Sequence, residues 1–115
     1  MRFQTRGMLV AAISSLLLSC SVNAPTPSSQ ITASPASELK YAEFSCSRLT
    51  ADLQDLARRE LDLIRAQERR IKSSEVQASL LGIGQGDGAE AAELASVRGE
   101  KAAVLKVMRA KGCET

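Results

Sequence analysis

Three cysteines, Cys20, Cys46 and Cys113, offer the most reactive side-chain chemistry in this 115-residue chain. It contains no histidine, which removes imidazole acid–base catalysis, Ser–His and Cys–His nucleophile pairs and nearly every catalytic zinc site. The cysteine spacings exclude a C-x-x-C redox pair. Two isolated thiolates without histidine do not complete a tetrahedral metal site within one chain. Carboxylate pairs such as Glu90 and Glu93 fall on a charged helical stretch, with nothing to enclose them and separate their pKa values. The chain is therefore expected to be non-enzymatic, with no cofactor, metal or small-molecule substrate. Gly84, Gly86 and Ala89 have the outward spacing of a dinucleotide fingerprint, but no strand precedes them, so Gly82–Gly88 reads as a turn. A formal net charge of +2 does not point to nucleic acid.

The role of Cys20 is set by what precedes it. Arg2 and Arg6 lead into Met8–Leu18, an apolar run of eleven residues. That is too short to cross a bilayer and right for the core of a signal peptide. Leu17-Leu18-Ser19-Cys20 resembles the bacterial lipobox, which predicts a leader over 1–19 and acylation of Cys20 as the first mature residue. An A-x-A-like site at Val22-Asn23-Ala24 is the rival cut, but Pro25 follows it directly. Ser21, where an Asp would retain a lipoprotein of enteric-type bacteria at the inner membrane, favours the periplasmic face of the outer membrane. Cleavage before Cys20 removes two arginines and leaves a body with 13 basic and 13 acidic side chains.

Cys20 and the residues up to 44 are read as a lipidated cysteine and flexible tether, because 21–37 hold all three prolines, many serines and no charge. The helical body follows over 45–113. A first helix is expected over about 45–72, with Ser45 as N-cap and Leu49, Leu53, Leu56, Leu63, Ile64 and Ile71 recurring at helical steps. Asp55/Arg59 and Glu68/Lys72 are spaced as i,i+4 ion pairs. Arg58, Arg59, Arg65, Arg69 and Arg70 read as a solvated face balanced by acids, with an anionic partner as the alternative. Ser73-Ser74 is expected to break this helix, opening a short apolar helical turn and glycine-rich loop over 73–88. A second helix is expected over about 89–111, with Asp87 and Glu90 at capping-box spacing, basic residues in its last turn and Gly112 as C-cap. Its seam is Leu94, Val97, Val104, Leu105 and Met108, interrupted by Lys101, whose stem is expected to lie along the partner helix. The fold class is all-α: an antiparallel two-helix hairpin whose ends bring Cys46 and Cys113 together. With Cys20 acylated, those two are the only intramolecular pair, and a bridge closing a loop of roughly 70 residues contributes about 4 kcal/mol in the chain-entropy model. Val76, Leu80, Leu81 and Ile83 form an apolar tip that either folds back on the hairpin or meets a partner or membrane.

Glu93-Leu94-Ala95-Ser96-Val97-Arg98-Gly99-Glu100, with the terminal Lys111-Gly112-Cys113, resembles the tail of small uncharacterised proteobacterial lipoproteins. In those, E-L-A-x-L-K-G-E-Y precedes a closing K-x-C at the same distance. Ser45-Cys46-Ser47-Arg48-Leu49 is similar to their S-C-x-x-L helix start. Lys101 stands in place of the family's aromatic residue, and Leu80-Leu81-Gly82-Ile83-Gly84 in place of its W-P-type segment. The resemblance implies a lipid-anchored, disulfide-closed α-hairpin and carries no activity with it. The expected role is a structural or interaction module at the outer membrane, held by acyl chains on Cys20 and able to meet an envelope protein. A membrane-active accessory protein using the tip 76–83 is the alternative.

Overall fold

The computed structural model describes residues 23–114. Within them two long helices, α1 (Cys46–Leu81) and α2 (Ala89–Lys111), fold against each other as an antiparallel hairpin. Cys46 and Cys113 are joined at its open end, with Cα atoms 5.5 Å apart. Local signals set both helix ends there. Ser45 Oγ accepts the Arg48 amide at 3.2 Å, satisfying one of the donors a helix start leaves free. Gly112 adopts φ 72°, and the amides of Gly112 and Cys113 donate to the carbonyls of Arg109 and Met108. This is a Schellman closure, and it delivers Cys113 to the first turn of α1.

The core lies beside the bridge. Leu49 of α1 packs with Ala103, Val104, Val107 and Met108 of α2 and with Tyr41, and Phe44, Leu53 and Leu56 cover the edge. Leu94 and Val97 continue the buried seam of α2. Where the seam is interrupted, Glu60 of α1 is met by Lys101 Nζ at 2.7 Å and Arg98 Nε at 3.4 Å. The Lys101 stem thus runs inward and its charge is answered across the hairpin.

Several expectations are corrected. First, α1 does not stop near Lys72 but continues to Leu81, where Gly82 at φ 77° closes it. Two serines remove no backbone donor, and Ser73 and Ser74 use their hydroxyls on the loop instead of capping a new turn: Ser74 Oγ accepts the Gln85 amide at 2.8 Å and Ser73 Oγ accepts Gln85 Nε2 at 2.9 Å. With 36 residues against 23, α1 outruns α2 by about 20 Å. Second, the N-cap of α2 is Gly88, because the Asp87 carboxylate is engaged elsewhere. Neither i,i+4 pair forms among the described residues; Asp55 pairs with Arg58 and Asp62 with Arg65, three residues on.

Third, the segment expected as a flexible tether over 20–44 is, from Asn23 onward, a strap packed along the hairpin. It starts beside the loop at Gly84–Gly86, follows α2 toward the disulfide end and turns into α1. Short 3-10 turns at Ser28–Gln30 and Glu38–Tyr41 punctuate it. Arg98 Nη1 donates to the carbonyls of Ser28 and Ile31, each at 2.6 Å, and the Ser34 amide donates to Ala95 O at 2.9 Å. Lys40 and Glu38 reach Glu100 and Lys106 on α2, while Tyr41 is buried and meets Phe44 edge-on at 5.6 Å. Prolines suit such a strap, since their fixed φ lowers the entropy lost on ordering and they carry no amide to satisfy.

Candidate functional site

The residues singled out in the sequence separate toward the two ends of the hairpin. Cys46 and Cys113 form the bridge at one end. Val76, Leu80, Leu81 and Ile83 crowd the other, 60%, 77%, 72% and 54% exposed. Of the two outcomes left open for this tip, folding back on the hairpin is not the one observed. Cys20 and the leader 1–19 lie outside the described residues. Among the described residues no helix is long and apolar enough to cross a membrane.

The exposed tip is built on a polar clasp that joins loop, strap and α1. Gln67 is fully buried on α1, and its Nε2 donates to Thr26 O at 2.8 Å and Asp87 Oδ1 at 2.9 Å. Asp87 also accepts the Thr26 amide at 2.7 Å and the Thr26 hydroxyl at 2.6 Å. One turn further along α1, Arg70 meets Glu90 at the start of α2 at 3.3 Å and Gln85 of the loop at 3.5 Å. Asn23 completes the clasp. Its carbonyl accepts the Gly86 amide at 2.6 Å and its Nδ2 donates to Gly84 O at 3.4 Å. Gly86 has φ 67°, and a Cβ there would overlap the Asn23 amide. The glycine run thus forms a loop that receives the strap closely, without a strand before it among the described residues.

The clasp is electrostatically biased toward ionised carboxylates. The Thr26 hydroxyl, then the Thr26 amide and Gln67, hold Asp87 below the usual carboxylate range. Glu90 is lowered by its own backbone amide and then by Arg70. Glu60, midway along the hairpin, is lowered foremost by the hydrogen bond from Lys101, against the opposing effect of burial, with Arg98 assisting. A carboxyl whose pKa is lower folded than unfolded contributes stability that is complete above its unfolded value and is lost as pH falls through its folded value. The clasp is therefore expected to hold at neutral pH and to loosen below about pH 4. NMR titration of the Asp87 carboxyl and the Thr26 amide checks this. The two should move together at a midpoint below that of a free Asp, with the Thr26 movement gone in Asp87→Asn; an Asp87 midpoint at or above the free value contradicts it.

Residue types and spacing give no strap or clasp role to Asn23, Thr26, Gln67, Arg98 or Gly99, and they suggest a helix cap for Asp87, which binds Thr26 and Gln67 instead. Two signals for the strap were present: Tyr41 and Phe44, two of the chain's three aromatic residues, fall in the segment read as tether, and Gly99 interrupts an otherwise good helix. A helix-interior glycine costs about 1 kcal/mol relative to Ala, so it calls for a close neighbour. Comparison with protein-family models, with curated proteins and with solved structures gave no match.

Proposed function

We propose that this chain is a lipid-anchored, non-enzymatic helical module of the bacterial cell envelope, acylated on Cys20 and displayed at the periplasmic face of the outer membrane. The observation that carries the reading is the Cys46–Cys113 bridge. Bridges of this kind persist in oxidising compartments and stabilise small exported domains whose cores are slight. That agrees with the export leader read over 1–19 and leaves Cys20 as the cysteine outside the bridge. Acyl chains on one cysteine anchor strongly, each buried methylene contributing about 0.8 kcal/mol. The module's charged helical surface suits docking of an envelope protein, and crosslinking in native envelopes identifies that partner.

Metabolic labelling with a palmitate analogue tests the anchor. The wild-type chain should carry label and sediment with membranes, and a lipoprotein signal peptidase inhibitor should accumulate the precursor. Cys20→Ala should be unlabelled and released from the membrane fraction. An unchanged membrane fraction in Cys20→Ala, or a mature chain beginning at Pro25, refutes the reading.

A further inference from the structure

The strap changes where an anchor at Cys20 places the body. A free tether over 21–37 would have spaced the body roughly 20–25 Å from its lipid. Instead Asn23 is pinned to the loop at Gly84 and Gly86, and only Ser21 and Val22 separate it from Cys20. Three residue steps span at most about 11 Å. Cys20 therefore stays within that reach of Asn23, itself hydrogen-bonded to Gly84, the neighbour of Ile83, whatever path the intervening residues take. Leu80 and Leu81 end α1 beside it and Val76 lies one turn back, all strongly exposed. The bridge lies at the opposite end of an α1 about 54 Å long.

We propose that Val76, Leu80, Leu81 and Ile83 are a second membrane contact, seated in the interfacial layer of the same bilayer that holds the acyl chains of Cys20, with the disulfide end directed away from it. The proposal rests on the acylation reading above. The chain's length and starting point select this occupant, because an acylated Cys20 cannot enter a bilayer without bringing the apolar end to its surface. A patch of four side chains is modest, but the anchor makes its contact intramolecular, with an effective concentration in the millimolar range for a short linkage. At this end Arg69, Arg70 and Lys72 are set against Glu68, Glu75, Asp87 and Glu90, so no excess of positive charge draws it to anionic headgroups and the contact is apolar in origin.

The chain has no tryptophan, so a single one reports its own surroundings. Full-length Leu81→Trp, matured in cells and reconstituted in phosphatidylcholine vesicles with brominated acyl chains, should show blue-shifted emission and quenching. Ala110→Trp, at the exposed disulfide end, should show neither. Ile83→Trp is the second reporter should Leu81→Trp fold poorly, and Leu80→Asp in either background should abolish quenching. Adding anionic lipid should leave the signals unchanged. The N-terminal mass of the same sample separates the two claims. An unacylated terminus sinks the anchored reading, whereas an acylated chain with unquenched tryptophan at both tip positions overturns the tip contact alone. A blue shift that depends on protein concentration without quenching by lipid bromine assigns the tip to a second copy and overturns the proposal as well.

Discussion

Removing the disulfide by Cys46→Ser together with Cys113→Ser is expected to lower stability by about 4 kcal/mol, the chain-entropy value for cysteines 67 residues apart. The structure explains why the fold is sensitive to so large a fraction of a typical domain's total stability. Among the described residues, the main apolar cluster gathers around Leu49, Val104 and Met108, beside the bridge. Cutting the bridge therefore frees the chain ends where most of the burial lies. The Schellman turn at Gly112 and the strap residues Tyr41 and Phe44 converge on the same place. Urea unfolding monitored by circular dichroism should show a midpoint lowered by roughly 2–4 M at an m-value of about 1–2 kcal/mol/M, and reductant should reproduce the shift in the wild-type chain but not in the double variant. An unchanged midpoint contradicts the assignment of the bridge as the main staple.

Gly99→Ala is expected to expel the strap while leaving α2 intact. A Cβ at this position would overlap the Ser34 carbonyl oxygen. A backbone atom does not yield by changing rotamer, and here the Ser34 amide is also bonded to Ala95 O at 2.9 Å. Overpacking of this kind costs about 1–3 kcal/mol. Helix propensity works the other way, since Ala in place of Gly favours a helix by about 1 kcal/mol. The two effects fall on different parts of the molecule, which makes them separable. Helical circular dichroism should hold or rise, while trypsin cleavage after Lys40, the lone basic residue between Cys20 and Cys46, should accelerate. In the wild-type chain that bond is protected by burial of Tyr41 and by the contact of Lys40 with Glu100. If the segment were a free tether, cleavage would be fast in both proteins and Gly99→Ala would simply stabilise.

Legibility in the sequence followed the range of the interaction. Ser45 capping its own helix, Gly112 ending one and Leu94, Val97 and Val104 sharing a face are decided within a few residues, so their types and spacing sufficed. Asp87 shows the limit. It had the spacing of a cap, yet its carboxylate takes three hydrogen bonds from Thr26 and Gln67, 61 and 20 residues away. Ser73 and Ser74 likewise looked like a break because their partner, Gln85, was not visible from local pattern. The strap was hidden for a compositional reason: Ser, Thr and Pro bury little apolar surface, and its attachment runs through backbone groups, such as the Ser28 and Ile31 carbonyls on Arg98. Those groups are the same in every sequence.

By itself, then, the sequence determined an all-α chain, two helices with their outer caps, a cysteine pair that only a hairpin unites, and an apolar tip. Each rests on periodicity, on local hydrogen bonding or on elimination among three cysteines. The tertiary structure decided the length of α1, the course of residues 23–44 and the exposure of Val76, Leu80, Leu81 and Ile83 beside the start of the strap. Those outcomes depend on which distant backbone groups can approach within hydrogen-bonding distance. At Gly99 that approach is permitted by a Cβ that is missing, a fact that acquires meaning only once the neighbour is in place.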